Sequence, residues 1–431
     1  MSLELIFGLL TLFLSAAIGT PVAYSIIAGV IVYLGIAGQD LAIAGETMVQ
    51  RLFDGFLLLA VPLFIVSANI MNAGKISDRL LKFCVAIVGG FRGGLGHVNV
   101  VASLIFSGMS GSAVADAAGI GKVIIDMMVK SGQYSRGYAA AITAATATIG
   151  PIIPPSIPLV LYALVSNTSI GTLFLAGIIP GLFMGLVLMF MNFMIANRRD
   201  FGKDKTTPLR ELPKITVKAT PALLMPLILL AGIYSGATTP TEAAAIAAFY
   251  ALIVSVFLYR SITWKSLYDV FVESARSAAS VGLVIGASMI LTYVVVQENV
   301  PELISGLLKD IDISPFLFLL AVNILVLLLG CVLDATVIIL VIVPLFVPTC
   351  TVLGIDLIHF GILVVVNSMI GLITPPYGVL LFVINAVTGI PLGEIIREIW
   401  PFFGILLFAL FVMIIAPNII LFLPRIFGYQ Y

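Results

Sequence analysis

Gly150-Pro-Ile-Ile-Pro-Pro-Ser156 and Gly371-Leu-Ile-Thr-Pro-Pro-Tyr377 are one interruption written twice in the same chain. The interval from Gly150 to Gly371 recurs unchanged from Pro154 to Pro375 and from Pro180 to Pro401, so the 431-residue chain carries an internal repeat. Upstream of each Pro-Pro lies a second polar, glycine-containing break: Ser107-Gly-Met-Ser-Gly-Ser-Ala-Val-Ala-Asp116 in the first half and Gly330-Cys-Val-Leu-Asp334 in the second. Proline removes a backbone donor and disfavours helix in its predecessor, and glycine lowers the cost of unwinding. Both halves are therefore expected to contain the same two helix breaks in the same order.

The sequence around the breaks is apolar. Residues of the AVILMFWYC set make up 61% of the chain and charged residues 10%, against roughly 45–50% and 25% in a soluble domain. Apolar stretches follow one another from Leu3 to Leu423 with short polar gaps, which predicts about ten to twelve membrane spans. The first, Leu3 to Ile18, is followed by many more and is read as a mature span rather than a signal peptide. In hydrocarbon, unpaired backbone groups survive only inside protein or against a water-filled cavity. Breaks at corresponding positions of two halves therefore point to the binding site of a transporter, where unwound carbonyls meet cations and half-helix N-termini face anions.

The one long hydrophilic segment, Arg198 to Lys218, carries seven Lys/Arg against three Asp/Glu and is expected on the cytoplasmic side. Over the whole chain 21 Lys+Arg balance 21 Asp+Glu, which leaves no concentrated basic face for nucleic acid. Cys84, Cys331 and Cys350 lie in apolar sequence without metal spacing and are expected in the core. Thr239-Pro-Thr-Glu242 before an alanine run is a capping box that starts a helix. Lys75 to Phe83 and Glu302 to Asp310 are amphipathic, too short and too charged to span, and are expected as interfacial arms. His97 and His359 stand alone, outside any H-E-x-x-H pattern, and are expected to be structural.

Transport chemistry must come from few side chains. Ala139 to Asn197 contains no Asp, Glu, Lys, Arg or His, so the donors there are hydroxyls, amides and carbonyls, hard oxygens suited to an alkali cation rather than zinc or copper. Thr143, Thr146 and Thr148 precede the Gly150 break and Ser156 follows it; Thr143 and Thr146 are expected to bond back to their own helix. Asp334 is the only acidic, basic or histidine residue between Ile313 and Ile355, and Asp116 holds a similar place after the first break. Intramembrane acids are functional candidates because burying them is costly without a partner. No Lys or Arg lies deep in the long apolar stretches, so an anionic substrate would be held by half-helix N-termini and bound cations.

Taken in order, Ser107 to Asp116, Gly150 to Ser156, Thr239-Pro-Thr-Glu-Ala-Ala-Ala245 and Ile373-Thr-Pro-Pro-Tyr-Gly378 resemble the large membrane subunit of the tripartite ATP-independent periplasmic (TRAP) transporters, over essentially the whole chain. The resemblance implies an all-α polytopic membrane protein of the elevator type. Two inverted repeats, each with a re-entrant hairpin and a broken helix, would form a mobile domain held by a scaffold. Residues 1–73 would be N-terminal spans, mainly scaffold, and 74–197 the first repeat, with a hairpin near 100–130 and a broken helix near 138–166. Residues 198–218 form the charged loop and 219–300 the second-half scaffold; 301–431 would be the second repeat, with a hairpin near 315–350 and a broken helix near 357–388.

The resemblance also implies uptake of a small organic anion, a carboxylate or sulfonate, across the bacterial inner membrane, driven by two or more Na+ ions. It implies three partners besides lipid: that anion, a small four-helix membrane subunit and a periplasmic substrate-binding protein. Ser112, Ser156, Asp334 and Tyr377 would lie at the substrate, and Ser110, Gly111, Asp116, Thr148, Gly150, Gly330, Gly371 and Thr374 around the ions. The second tip lacks the serines of the first, with Cys331, Val332 and Leu333 in their place, which leaves its ligands open. The rival readings are an intramembrane enzyme or a proton-translocating subunit using Asp116 and Asp334. The empty stretch from Ala139 to Asn197 argues against a proton relay, and no Ser/His or metal constellation accompanies the two acids.

Overall fold

The computed structural model describes residues 2–54, 56–74, 76–203, 208, 210–300, 302–303, 306 and 313–430, and among them the chain is helical, with one isolated bridge between Arg92 and Lys203. Six described helices, the π-helical continuations included, are long and apolar enough to cross a membrane, and nine shorter apolar ones accompany them. In chain order the elements are α1 Leu3–Ala17, α2 Val22–Ile36, α3 Ala42–Asp54, α4 Ala60–Ala73, α5 Ile76–Val88, α6 Gly94–Ser110, α7 Ala113–Asp116, α8 Lys122–Lys130, α9 Arg136–Ala147, α10 Ile157–Ser166 and α11 Ile170–Arg198. They continue with α12 Leu212–Tyr234, α13 Pro240–Ile253, α14 Trp264–Gln297, α15 Pro315–Gly330, α16 Ala335–Val337, α17 Val343–Val352, α18 Leu357–Gly371, α19 Val379–Thr388, α20 Leu392–Ile415 and α21 Pro417–Ile426.

The internal repeat of the sequence is a repeat of structure. A π-helical turn at Ala117–Gly121 joins α7 to α8, and another at Ile338–Ile342, one repeat interval later, joins α16 to α17. Ser135 caps α9 and Asp356 caps α18 at the same spacing. The pattern reaches individual contacts. Tyr138 donates its hydroxyl to Asn192 Oδ1 at 2.7 Å; at the two equivalent positions of the second half, His359 Nε2 lies 3.0 Å from the Met413 carbonyl oxygen. Thus His359 is structural, as its isolation in sequence suggested.

The centre is built on α9 and α18, the first half of each broken helix. Gly137 to Ala147 and Ile358 to Gly371 are buried without exception, and α20 packs against both helices. The alanines of α9 explain how this is achieved, because small side chains let helices approach closely where lipid offers no competing hydrophobic drive. A separate small core joins α1, α2 and α14 through Leu5, Ile26, Val30, Leu34 and Leu291.

Both halves of the capping box form: Thr239 Oγ1 accepts from Glu242 N at 3.3 Å, and Glu242 Oε2 accepts from Thr239 N at 2.7 Å, with α13 beginning at Pro240. The amphipathic segment after Lys75 is the short helix α5, buried at Leu80, Leu81 and Cys84 against α6 and α12. Lys75 itself and most of Glu302 to Asp310 lie outside the described residues. Cys84 and Cys350 are core residues, whereas Cys331 is only half-buried, because it sits at the second hairpin tip.

Candidate functional site

Each half brings a hairpin tip against a broken helix. In the first, α6 ends at Gly111, whose left-handed φ of 58° turns the chain into α7, and Ser112 caps α7 by accepting from Ala115 N at 3.3 Å. A Cβ on Gly111 would stand 2.6 Å from the Pro155 carbonyl oxygen, so the tip rests directly on the unwound segment between α9 and α10. Ser156 closes that segment: it caps α10 by accepting from Leu159 N at 3.1 Å and donates its hydroxyl to the Pro151 carbonyl. Both Pro-Pro bonds, Pro154-Pro155 and Pro375-Pro376, are cis.

Asp116 lies at the heart of this junction, 1% exposed. Its Oδ1 accepts a 2.5 Å hydrogen bond from Ser110 Oγ, while its Oδ2 is buried without a partner among the described residues. A Cβ on Gly150 would stand 2.7 Å from that Oδ2, so the free oxygen faces the backbone at the break. Thr148 is fully buried next to it in sequence and spends its proton on the Ala145 carbonyl at 2.7 Å, which leaves its oxygen lone pairs available. Ser110, Gly111, Asp116 and Gly150 are thus brought together, with Ser112 half-buried and Ser156 fully buried beside them.

The second junction is built differently. Gly330 at the end of α15 touches Gly371 at the end of α18, and a Cβ on Gly371 would stand 2.7 Å from the Gly330 Cα. Asp334 is exposed and caps α16, its Oδ1 accepting from Thr336 N at 2.8 Å. It therefore does for α16 what Ser112 does for α7, one residue out of the repeat register, whereas the place of Asp116 in the second half is taken by Val337. Thr374 returns its hydroxyl to the Ile370 carbonyl at 2.9 Å, and Tyr377 is 61% exposed. The first junction is closed and the second open to the surface.

Asparagines in apolar sequence are the site-supporting residues that motif reading missed. Asn99 on α6 donates to Thr143 Oγ1 at 2.6 Å and accepts from Thr146 Oγ1 at 3.0 Å, while both threonines also bond back to α9 as expected. In the second half, Asn367 on α18 donates to the backbone and side-chain oxygens of Asn323 on α15, at 2.5 and 3.0 Å. Thr146 and Asn367 occupy equivalent positions of the repeat. Asn367 Oδ1 is buried without a partner among the described residues, one helical turn before Gly371. The usable signal was a lone amide inside an apolar helix, repeated in both halves.

A cavity of about 740 Å³ separates α3 and α14 from the end of α10 and the start of α17, lined by Thr47, Asn167, Met289, Tyr293 and Pro344 among others. It stands away from the two junctions, between the helices that carry them and α14.

With this geometry in place, comparison with known proteins decides the family. The family model described as "Tripartite ATP-independent periplasmic transporter, DctM component" matches residues 9–419. The chain belongs to that family. Its relatives include the sialic acid TRAP transporter large permease SiaM of Vibrio cholerae, 38% identical over 426 residues, covering 98% of this chain and 99% of that one. The C4-dicarboxylate TRAP transporter large permease DctM of Pseudomonas aeruginosa is 41% identical over 375 residues, 87% of this chain and 88% of that one. The isethionate TRAP transporter permease DctMQ of Oleidesulfovibrio alaskensis is 35% identical, covering 97% of this chain and 66% of the longer relative. In fold, the chain matches the crystal structure of the YdaH transporter of Alcanivorax borkumensis with a TM-score of 0.66 at 15% identity, over 96% of this chain and 98% of that one. This TRAP large permease is a multi-pass inner-membrane transporter and not an enzyme.

Proposed function

We propose that this permease takes up a small organic anion across the inner membrane by sodium-coupled secondary transport, with the two junctions travelling together against a scaffold in an elevator movement. The observation that carries the reading is Asp116 Oδ2, a buried carboxylate oxygen without a partner, aimed at the backbone of the Gly150 break. A buried charge needs compensation, and an alkali cation held by Asp116, Ser110, Thr148 and the carbonyls around Gly150 supplies it with the hard oxygen ligands at hand. The same logic in the second half places the other ion near Gly330, Gly371 and Thr374, with the orphaned Asn367 Oδ1 as a further ligand.

Between the ions, Ser112, Ser156, Asp334 and Tyr377 would face the substrate, with the N-termini of α10 and of the α7 and α16 arms contributing positive potential. Sialic acid, C4-dicarboxylates and isethionate in the relatives' names share an anionic group and little else, which supports an organic carboxylate or sulfonate as the class. A small four-helix membrane subunit and a periplasmic binding protein would complete the transporter, with the charged segment of residues 198–218, whose last residues form the first turns of α12, in the cytoplasm.

The test is uptake of labelled organic anions into proteoliposomes containing the permease, its small subunit and the cognate binding protein, under an inward sodium gradient or an inward proton gradient alone. Accumulation that requires sodium and the binding protein supports the proposal. Accumulation on the proton gradient alone overturns the sodium assignment.

A further inference from the structure

Beyond the transport site, we infer that the permease binds an anionic phospholipid in a basic cavity between α5 and the first turns of α12. The cavity, about 530 Å³, is lined by Arg79, Lys82, Lys214 and Lys218, with Glu211 the one acid among its lining residues. An adjoining cavity of about 430 Å³ shares Lys82 and Glu211 and adds Asp78. None of the four cations is in an ion pair among the described residues, whose salt bridges are Arg92–Asp200, Arg136–Glu394 and Arg199–Glu398. Four cations without an ion-pair partner converge on one concavity, and an anion between them relieves their mutual repulsion.

The cavity is also held in shape. The Arg79 guanidinium lies 3.6 Å from the centroid of the Tyr259 ring, and the Tyr259 hydroxyl donates to the Lys218 carbonyl at 2.9 Å. Stacking fixes the arginine on α5 to the ring, and the ring to α12, so the forked donor is oriented before any ligand arrives. The open N-terminus of α12 adds partial positive charge on the same side.

The neighbouring surface selects a lipid over a free phosphate. Further along α12, Pro221 and Leu224 join Ile253, Phe257 and Leu258 around an apolar groove of about 420 Å³. Phe257 is 70% exposed and Leu258 58%, so the groove opens outward. A phosphate diester on the four bases with an acyl chain along Leu224 and Phe257 satisfies both halves of the surface; basic pockets between transmembrane helices take lipid headgroups in this manner.

The experiment uses the full chain in mixed micelles, reading thermal stability and retained lipid by native mass spectrometry. Phosphatidylglycerol is titrated against phosphatidylcholine and inorganic phosphate. Phosphatidylglycerol should raise Tm and be retained, with little response to the other two. In the Lys214→Gln/Lys218→Gln variant the half-saturating lipid concentration should rise about 25-fold, about fivefold for each base removed. Arg79→Gln alone should raise it about fivefold, and Arg397→Gln, outside the cavity, should leave it unchanged. An unchanged response in the cavity variants, or an equal response to phosphatidylcholine, overturns the inference. An equal response to inorganic phosphate makes the site a free-anion site and overturns the lipid assignment. The absence of any lipid response also overturns it and leaves the cations to an acidic partner chain.

Discussion

Gly330 and Gly371 meet backbone to backbone, so that a Cβ on Gly371 would stand 2.7 Å from the Gly330 Cα. The second hairpin is therefore pressed onto the second broken helix with no side chain between them. Gly371→Ala must push the tip off the break, at a cost of about 1–3 kcal/mol for an overpacked contact. Lowered Tm together with reduced uptake is the expected outcome. Gly404→Ala, at a helical position with open space around it, should be neutral or slightly stabilising. Equal stability of the Gly371→Ala protein and the wild type would show that the two backbones are not in contact there.

Asp116→Asn keeps a side chain of the same shape and an oxygen for Ser110, but it removes the negative charge. If a sodium ion is held there, its half-saturating concentration should rise roughly 10- to 100-fold, the equivalent of one lost charge-assisted contact of about 1.5–3 kcal/mol. Expression and membrane insertion should be unaffected. Ser110→Ala, which leaves the carboxylate in place, should cost less. Sodium titrations of uptake into proteoliposomes provide the readout, and an unaltered sodium dependence in Asp116→Asn would remove this carboxylate from the ion site.

The sequence made the repeat and the positions of its breaks legible, because proline and glycine act on the backbone wherever they occur. Roles within the breaks were less so. Asp116 and Asp334 look equivalent in sequence, each an acid after a glycine-rich break, yet one is buried with an unpartnered oxygen and the other is an exposed helix cap. The difference is one of register: Asp334 stands at the cap, while Asp116 lies a helical turn beyond the cap, facing the Gly150 break. The polar clamps through Asn99 and Asn367 carried no motif, since a buried amide is defined by the partner it meets and that partner is 44 residues away in each case.

Asp334 tests how a helix cap serves an anion site. Its carboxylate would repel an anionic substrate directly, but it accepts from Thr336 N and holds the start of α16 in place. Asp334→Ala should cost about 1 kcal/mol of cap stability and strongly reduce uptake with insertion intact. Asp334→Asn, which can still cap, should recover most of the activity. Failure of both variants to the same degree would mean that the charge itself is required.

The two halves are tied by different amides, and this gives them unequal tolerance to the same substitution. Asn99 joins α6 to α9 through two threonine hydroxyls, so Asn99→Ala leaves Thr143 and Thr146 with their own helix carbonyls to fall back on. Asn367 has no such substitute, because its amide nitrogen is the donor to both oxygens of Asn323. Asn99→Ala should therefore destabilise by about 1 kcal/mol and Asn367→Ala by about 1–3 kcal/mol, the range for a buried polar group that loses its partner. A double-mutant cycle between Asn323 and Asn367, followed by chemical or thermal unfolding in micelles, isolates the coupling. A coupling near zero would show that α15 and α18 are held by packing alone and that the Asn367 amide nitrogen contributes no net clamp.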